Sequence, residues 1–287
     1  MIKFLLIGSR GTLGAEFAQL IPAEQLILGD RPKLDITNKV STVKFVRHHR
    51  PNIVINCSGY TNVDGAETDF DTAMLLNSYA VENLAIACQS INATLVHFST
   101  GMVFSGSNPD GYDETATPRA VNKYGESKLS GEQAIQAVGG NYFIIRTEWL
   151  YGRPITATAK KSFIEMMITL GKSGKVKGVI DEIGKPTWAK DLAVSVLDLL
   201  ANRTAPKTKN SSESGVYHLA NEGHTSRFGW AQEIYKILNM DVECEKVRSV
   251  DFARPAPRPQ YELINNTRLP KLRSWQEALQ EYLNTFK

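Results

Sequence analysis

The sequence predicts an α/β protein of the Rossmann type, with a doubly wound parallel sheet and a smaller C-terminal lobe. Two observations predict this fold: short apolar runs alternate with amphipathic segments in the first half of the chain, and the alternation stops near residue 150. Strands that alternate with helices are typical of parallel βαβ units. A chain of 287 residues, 42% of them apolar, has room for one such domain and an added lobe.

The predicted strands are short, rich in β-branched residues and continuously apolar, as expected of strands that are covered on both faces. They lie at 2–8, 25–29, 52–57, 94–99 and 142–147. A helical pattern such as that of 71–90 fills the longer segments between them. We therefore assign residues 1–150 to the Rossmann-type domain.

Residues 151–287 are predicted to form mainly the smaller lobe, with segments that can return to the sheet. Helical patterns lie at 162–172, 188–202, 226–238 and 274–286. The prolines at 255, 257 and 259 exclude regular structure in the loop that contains them.

Composition excludes several classes of protein. The net charge of +3, from 33 basic and 30 acidic residues, is too small for the concentrated basic face of a nucleic-acid-binding protein. The apolar runs are shorter than the roughly 18 residues of a membrane span. The three cysteines lie far apart, and neither they nor the five histidines show metal-ligand spacing. We expect a cytoplasmic monomer or homodimer without a metal, a nucleic-acid partner or a membrane partner.

A glycine-rich turn follows the first predicted strand. The segment "GSRGTLG" places Gly8, Gly11 and Gly14 where the first helix begins. Glycine there permits a tight turn and the close approach of a pyrophosphate to the exposed N–H groups of the helix. A glycine-rich turn can also be only a turn, but its position in the first βα unit favours dinucleotide binding.

The second predicted strand ends in "LGDRPKLD", which leaves the choice of dinucleotide open. Asp30 can accept hydrogen bonds from ribose hydroxyls, which favours NADH, whereas Arg31 can pair with a 2′-phosphate, which favours NADPH. Both can also be residues of a charged loop. Asp35 can reach the adenine edge, or it can cap the following helix together with Thr37.

A tyrosine and a lysine lie four residues apart in "YGESK", on a predicted helix. Residues at this spacing share a helix face, so Lys128 lies beside Tyr124. A phenol has a pKa of about 10, and a neighbouring cation makes it a more competent proton donor. Thr100 ends the fourth strand, at the edge where open α/β sheets bind ligands. Each residue alone can belong to an ordinary surface, but their order along the chain favours a catalytic group.

These features together resemble the dTDP-4-dehydrorhamnose reductase family of extended short-chain dehydrogenase/reductases, over nearly the whole chain. The stretches that match are "GSRGTLG", "LDIT", "RPNIVINCSGYTNVDGAE", "LVHFST", "YGESKLSGE", "IIRTEWLYG", "GKPTWAKDLA", "GVYHLA" and "RPQYELINNTRL". The resemblance implies reduction, by NADPH or NADH, of the C4 keto group of a nucleotide-linked 4-keto-6-deoxy sugar in deoxysugar and cell-wall polysaccharide biosynthesis. An alternative is a non-catalytic, cofactor-binding protein similar to the regulatory subunit of methionine adenosyltransferase.

The resemblance also implies roles for individual residues. Tyr124 would protonate the sugar oxyanion, Lys128 would lower the pKa of Tyr124, and Thr100 would orient the carbonyl. The implied cofactor-binding residues are Gly8, Arg10, Gly11, Thr12, Leu13, Gly14, Asp30, Arg31, Asp35, Ile36, Ser58, Gly59, Tyr60, Tyr124 and Lys128. The implied substrate-binding residues are Val63, Thr100, Met102, Tyr124, Trp149 and Arg258. The arginines that can neutralise the nucleotide diphosphate are Arg254, Arg258 and Arg268, although they can also be ordinary surface arginines of a proline-rich loop.

The sequence departs from the family pattern around the sugar. Gly101 and Met102 stand where the family usually has Asp and Tyr, and Glu148 and Glu262 stand where it usually has Ser. Ser162 replaces the usual Asn before Phe163. We expect the loss of a carboxylate beside Thr100 to alter selectivity. Glu148 can either restore an acceptor or point to solvent.

Overall fold

A computed structural model describes residues 1–155, 162–204 and 213–286. The strands are β1 Phe4–Ile7, β2 Leu26–Leu28, β3 Ile53–Asn56, β4 Thr94–Thr100, β5 Asn141–Thr147, β6 Leu150–Tyr151, β7 Lys175–Val179, β8 Ile183–Gly184, β9 Thr187–Trp188, β10 Gly215–His218, β11 Thr225–Ser226, β12 Glu243–Val247 and β13 Tyr261–Glu262. The helices are α1 Thr12–Leu20, α2 Lys39–His49, α3 Phe70–Met74, α4 Ala80–Gln89, α5 Lys123–Val138, α6 Phe163–Gly171, α7 Ala189–Thr204, α8 Arg227–Ile237 and α9 Trp275–Asn284. A π-helical segment, Leu75–Tyr79, joins α3 to α4.

The main sheet has six parallel strands in the order β10-β5-β4-β3-β1-β2. The chain adds β2 on one side of β1 and then returns to add β3, β4 and β5 on the other side. This reversal makes a topological switch point between β1 and β3, where the carboxyl ends of open sheets bind ligands. The predicted doubly wound parallel sheet is therefore confirmed.

The second half of the chain contributes to the main sheet as well as to the lobe. The strand β10 lies at the sheet edge and pairs with β5, and α7 packs against α1. The remaining strands of this half form small sheets, β11-β8-β13, β12-β7 and β6-β9. Residues after 150 therefore lie in both the main sheet and the lobe. The division into two domains at residue 150 stays a prediction.

Apolar side chains cover the main sheet on both faces. Phe17 of α1 and Leu192 of α7 are fully buried on one face, while Leu84 of α4 and Ile135 of α5 are fully buried on the other. The strands between them are continuously apolar because both of their faces lie in a core. None of the helices in the described ranges is long and apolar enough to cross a bilayer.

The lobe has its own core, which is unusually aromatic. Trp230 of α8 is fully buried and stacks on Phe163 with ring centroids 4.4 Å apart. Tyr151 lies edge-on to Tyr282 of α9, with a centroid distance of 5.1 Å. Aromatic rings bury a large area each, so this cluster can stabilise a lobe built from short elements.

A buried ion pair fixes α5 against the main sheet. The Arg146 guanidinium, on β5, donates to Glu132 of α5 through Nε at 3.0 Å and Nη2 at 2.6 Å. Ser99 of β4 also donates to Glu132, and the Arg146 Nη1 contacts His218 Nε2 of β10 at 3.3 Å. Burial and the Arg146 charge lower the pKa of His218 to about 4, so His218 accepts as a neutral ring. The pair therefore ties α5 to three adjacent strands.

We expect Glu132→Gln to lower the free energy of unfolding by about 3–5 kcal/mol, because it leaves Arg146 charged and buried without its partner. Chemical denaturation monitored by circular dichroism measures this change. Glu126→Gln is the matched control, since Glu126 lies on the same helix and pairs with Lys123 at the surface. Equal stability of the two variants would contradict a structural role for the buried pair.

Candidate active site

The three turn glycines have different environments. Gly8 has a φ of 79°, and a Cβ on Gly14 would lie 2.0 Å from the carbonyl oxygen of Gly8. A Cβ on Gly11 would meet only that same oxygen, at 3.5 Å, which is an ordinary contact. Gly8 and Gly14 are thus required by the packing of the chain itself, whereas Gly11 has no close neighbour within the described ranges.

The start of α1 fits a pyrophosphate. The N–H groups in the first turn of a helix have no partners within the helix, and the helix dipole favours an anion beside them. Arg10 and Gly11 are exposed and Thr12 is half-buried, whereas Leu13 packs into the core. Among the described residues, the predicted phosphate-binding positions at the start of α1 are therefore accessible and form a cradle-shaped turn, and Leu13 anchors this turn in the core.

Asp30 is bound to the glycine turn. One of its oxygens accepts from the N–H groups of Gly8 at 2.7 Å and Ser9 at 3.1 Å, and the other accepts from the Ser9 hydroxyl. The predicted contact with ribose would have to share these oxygens, and it stays a prediction. Arg31 is 68% exposed in its side chain and lies 3.5 Å from Asp35.

Asp35 accepts hydrogen bonds within its own loop, whereas Asn38 caps the following helix α2, so the expectation that Asp35 caps that helix is wrong. Asp35 Oδ1 accepts from the N–H of Thr37 at 3.0 Å and from the Thr37 hydroxyl at 2.8 Å. These hydrogen bonds lower the pKa of Asp35. Ile36 is buried between them, and its carbonyl accepts from Asn83 Nδ2 of α4 at 3.0 Å, so its predicted contact with the cofactor stays a prediction.

The loop after β3 lies beside α5. Asn56 accepts from both the N–H and the hydroxyl of Ser58, at 3.1 and 2.6 Å. Asn77, in the π-helical segment, accepts from the N–H of Tyr60 at 2.8 Å and donates to Ser127 of α5 at 2.9 Å. The predicted cofactor loop Ser58–Gly59–Tyr60 is thereby held against the helix that carries Tyr124 and Lys128.

Lys128 is buried among polar groups. Its Nζ donates to the carbonyl of Phe98 at 2.5 Å and lies 3.3 Å from Nε2 of His97, whose Nδ1 is 3.1 Å from Asn56. Burial lowers the pKa of Lys128 to about 8, and burial together with the Lys128 charge holds the pKa of His97 well below its usual value. His97 and Asn56 were not predicted as site residues, since neither lies in a pattern that marks it.

Thr100 and Tyr124 meet at the carboxyl end of β4. Their side chains are close enough for the Thr100 hydroxyl to affect the pKa of Tyr124, and Thr100 Oγ1 accepts from the N–H of Met102 at 3.1 Å. Burial raises the pKa of Tyr124, the Glu262 charge raises it further, and the neighbouring Thr100 hydroxyl opposes both. Lys128 does not contribute to this shift, so the expectation that Lys128 lowers the pKa of Tyr124 is not met. A phenol with a raised pKa stays protonated at neutral pH, which is the state needed to donate a proton.

A carboxyl group lies beside Thr100 even though residue 101 is glycine. Glu262, at the end of β13, accepts from Thr100 Oγ1 at 3.4 Å and from Trp149 Nε1 at 3.1 Å. A Cβ on Gly101 would lie 2.9 Å from Glu262 Cγ. The expectation that no carboxyl group lies beside Thr100 is therefore wrong. Glu262 of the lobe supplies one, and it occupies the space left by the missing side chain at Gly101. Burial raises the pKa of Glu262 to about 7.

Glu148 points into the protein rather than to solvent. Its two oxygens accept from the N–H groups of Lys185 at 2.9 Å and Ile264 at 3.0 Å. Burial and the Glu262 charge raise its pKa well above the usual range. Glu148 therefore joins the end of β5 to the backbone of two lobe segments, at Lys185 and at Ile264.

Trp149 is held in an uncommon conformation at the entrance to the lobe. Its φ is 42°, in the left-handed region that bulky residues rarely adopt. Its ring stacks on Trp230 at a centroid distance of 5.7 Å and lies 3.6 Å from the guanidinium of Arg227. Burial lowers the pKa of Arg227 to about 10. Arg227 was missed because one arginine at a helix start gives no sequence signal.

Two of the three arginines expected at the diphosphate lie near the site. Arg258 donates to Asp64 at 2.9 Å, and Arg254, which pairs with Glu182, is close enough to Arg258 for their charges to interact. Arg268 instead donates to the carbonyl of Val216 at 2.8 Å, near the amino end of β10. Ligands bind at the carboxyl ends, so the expectation for Arg268 is wrong.

The two remaining predicted substrate residues line the same region. Val63 is half-buried directly before Asp64, the partner of Arg258. Met102 is buried beside Thr100, with its sulfur 3.9 Å from Asn122 Nδ2. Within the described ranges, no group of three or more His, Cys, Asp or Glu side chains could hold a metal ion.

Because Gly14 is packed against backbone and Gly11 is not, substitutions at these two glycines should affect stability and dinucleotide binding separately. We expect Gly14→Ala to lower the free energy of unfolding by about 1–3 kcal/mol, because its Cβ collides with backbone. Gly11→Val should leave stability unchanged and weaken dinucleotide binding, because it projects into the phosphate cradle. Thermal denaturation and fluorescence titration with NADPH measure the two effects. Unchanged affinity in Gly11→Val would show that the turn binds no phosphate.

Comparisons with known proteins agree with this geometry. The family model described as RmlD substrate binding domain matches residues 2–287. A dTDP-4-dehydrorhamnose reductase from Streptomyces griseus is 36% identical, over 97% of this chain and 92% of that protein. A probable dTDP-4,6-dihydroxy-2-methyloxan-3-one 4-ketoreductase from Streptomyces antibioticus is 34% identical, over 98% of this chain and 94% of that protein.

A solved structure extends the similarity to three dimensions. The dTDP-4-dehydrorhamnose reductase from Bacillus anthracis, in complex with NADP, has a TM-score of 0.91 and 34% identity to this chain. The alignment covers 99% of this chain and 100% of that one. The chain therefore belongs to the RmlD substrate binding domain family, which includes the reductases that its motifs resemble.

Proposed function

We propose that this protein reduces the C4 keto group of a nucleotide-linked 4-keto-6-deoxy sugar, dTDP-4-dehydrorhamnose or a close analogue, with a reduced nicotinamide dinucleotide. The observation that carries the proposal is the proximity of the Thr100 and Tyr124 side chains at the carboxyl end of β4, with buried Lys128 one turn further along the helix of Tyr124. A non-catalytic regulatory protein would not need these three groups together. The relatives named as reductases favour catalysis as well.

The cradle at the start of α1 would hold the cofactor pyrophosphate, and the loop Ser58–Gly59–Tyr60 and Lys128 would hold the nicotinamide half. When bound, the reduced nicotinamide supplies the hydride for the carbonyl carbon. Arg31, exposed beside the second strand, would pair with a 2′-phosphate, so we propose NADPH as the preferred cofactor. The NADP complex of the Bacillus anthracis reductase supports this choice.

The residues of this chain then have distinct tasks. Tyr124 donates its proton to the oxygen that becomes the C4 hydroxyl, and its raised pKa keeps that proton available. Lys128 places a positive charge on the same helix face, which stabilises the phenolate left behind. Thr100 donates a hydrogen bond to the carbonyl oxygen and holds it for protonation. Such general acid catalysis is typically worth about 10²–10⁴ in rate.

The lobe would bind the rest of the substrate. Trp149 and Glu262, which are hydrogen-bonded to each other beside Thr100, would contact the sugar. Arg258 and Arg254 lie where they could neutralise a diphosphate, because their present partners are carboxylates that an anionic ligand can replace. We propose that the protein acts in the cytoplasm as a monomer or homodimer.

We expect Tyr124→Phe to lower kcat by about 10²–10⁴ while NADPH binding stays within about threefold, since only the proton donor is lost. NADPH oxidation in the presence of dTDP-4-dehydrorhamnose measures turnover, and fluorescence titration measures binding. Tyr79→Phe is the control, because Tyr79 is exposed on another helical segment. Turnover by the Tyr124 variant at nearly the wild-type rate would contradict the assigned chemistry.

We expect Arg31→Ala to raise the KM for NADPH about tenfold to a hundredfold, through loss of a charged hydrogen bond, and to leave the KM for NADH unchanged. Initial rates with each dinucleotide give both constants. Lys33→Ala removes an equal charge two residues away in the same exposed loop and should have little effect. A parallel rise for both dinucleotides would argue against contact with a 2′-phosphate.

A further inference from the structure

The Thr100 hydroxyl has one hydrogen to give and several neighbours that could take it. Its oxygen accepts from the N–H of Met102 at 3.1 Å and lies 3.4 Å from an oxygen of Glu262. The side chain of Tyr124 lies near enough for this hydroxyl to affect the pKa of Tyr124. A hydroxyl oxygen has two lone pairs and one hydrogen, so the protonation state of each neighbour decides which way that hydrogen points.

The two states of the Glu262 carboxyl have opposite effects on Thr100. An ionised carboxylate can only accept, so it takes the Thr100 hydrogen for itself. A protonated carboxyl can donate to the second lone pair of Thr100, next to the bond from Met102. The Thr100 hydrogen is then free for a third group.

We propose that Glu262 is a positioning residue that acts through Thr100: its protonated form donates to Thr100 and leaves the Thr100 hydrogen for the substrate carbonyl, and its ionised form withdraws that hydrogen. This inference rests on the proposed ketoreductase function, in which Thr100 orients the carbonyl. It assigns a role in turnover to a side chain 162 residues away along the sequence.

The surroundings of Glu262 keep the two states in balance. Burial disfavours the ionised form, and that form in turn raises the pKa of Tyr124 on α5 and of Glu148 at the end of β5. The positive charges of Arg227 on α8 and Arg258, in the loop before β13, favour ionisation, as do the bonds from Trp149 and Thr100. The result is a pKa of about 7. Glu262 therefore titrates near neutral pH, where a glutamate normally stays ionised.

Gly101 makes this contact possible. A Cβ at residue 101 would lie 2.9 Å from Glu262 Cγ and 3.4 Å from Glu262 Oε1. Any larger side chain would displace the carboxyl from Thr100. Because residue 101 has no side chain, the Glu262 carboxyl group has the space it needs to reach Thr100.

The first test is the pH dependence of kcat/KM for NADPH oxidation with dTDP-4-dehydrorhamnose, because kcat/KM reports the pKa values of the free enzyme. We expect the wild-type rate to fall about tenfold per pH unit above a midpoint near 7. In Glu262→Gln, which keeps an acceptor for Trp149 and a donor for Thr100, the midpoint should rise to about 8, the pKa of Lys128. Glu182→Gln also removes a buried glutamate, the partner of Arg254, and should keep the wild-type midpoint.

The second test needs no turnover. Carboxyl carbons labelled with ¹³C in glutamate are titrated by NMR in the ligand-free protein, and the signal absent from Glu262→Gln is that of Glu262. We expect its midpoint above pH 6. A midpoint near the ordinary value of about 4.5 would overturn the proposal, because Glu262 would then hold no proton to donate.

The possible results distinguish the role of Glu262 from the proposed ketoreductase function. A wild-type protein that oxidises NADPH with the sugar but shares its pH midpoint with Glu262→Gln would overturn the role of Glu262 and leave the proposed function intact. A wild-type protein inactive on every nucleotide-linked 4-keto-6-deoxy sugar would contradict the proposed function. The NMR titration would then decide on its own whether Glu262 carries its proton at neutral pH.

Discussion

The position of α5 is the constraint on which the rest of the site depends, and the buried pair Glu132–Arg146 sets it. Tyr124, Lys128 and Glu132 follow one another at intervals of four residues, so they share one face of the helix. The last of them is bound to β4, β5 and, through Arg146, β10. Each buried charge has several partners, which offsets the cost of removing it from water. The same contacts that hold the helix therefore aim its proton donor at the end of β4.

Two glutamate side chains connect the lobe to the main sheet, one from each side. Glu148 extends from the end of β5 and binds the backbone of the lobe, while Glu262 extends from the lobe and meets Thr100. Burial raises the pKa of both. The junction that positions Trp149 over the site is consequently sensitive to pH, whereas the apolar cores on either side of it are not. Apolar packing stabilises the cores of the sheet and of the lobe, and polar contacts join the lobe to the sheet.

The sequence predicted what is encoded locally. Apolar runs identified the first five strands, and periodicity located the four helices of the second half to within a few residues, because burial on both faces or on one face leaves a regular pattern. The spacing of Tyr124 and Lys128 was readable for the same reason. Glu262, Asn77 and Arg227 were not readable, since their roles come from contacts between segments far apart in the chain. The prediction for Arg268 was wrong because the sequence does not show towards which part of the fold an arginine side chain in a loop extends.

The departures from the family pattern illustrate the same limit, and they change meaning once they are seen in space. Gly101 read alone indicates a lost acceptor, and Glu262 read alone indicates a misplaced charge. In the structure each one accounts for the other, because a side chain at 101 would collide with Glu262 Cγ. Conversely, a small residue at 262 beside Gly101 would leave a cavity and a Trp149 N–H without its acceptor, and both are costly in a buried site. Neither position can therefore vary freely while the other is kept.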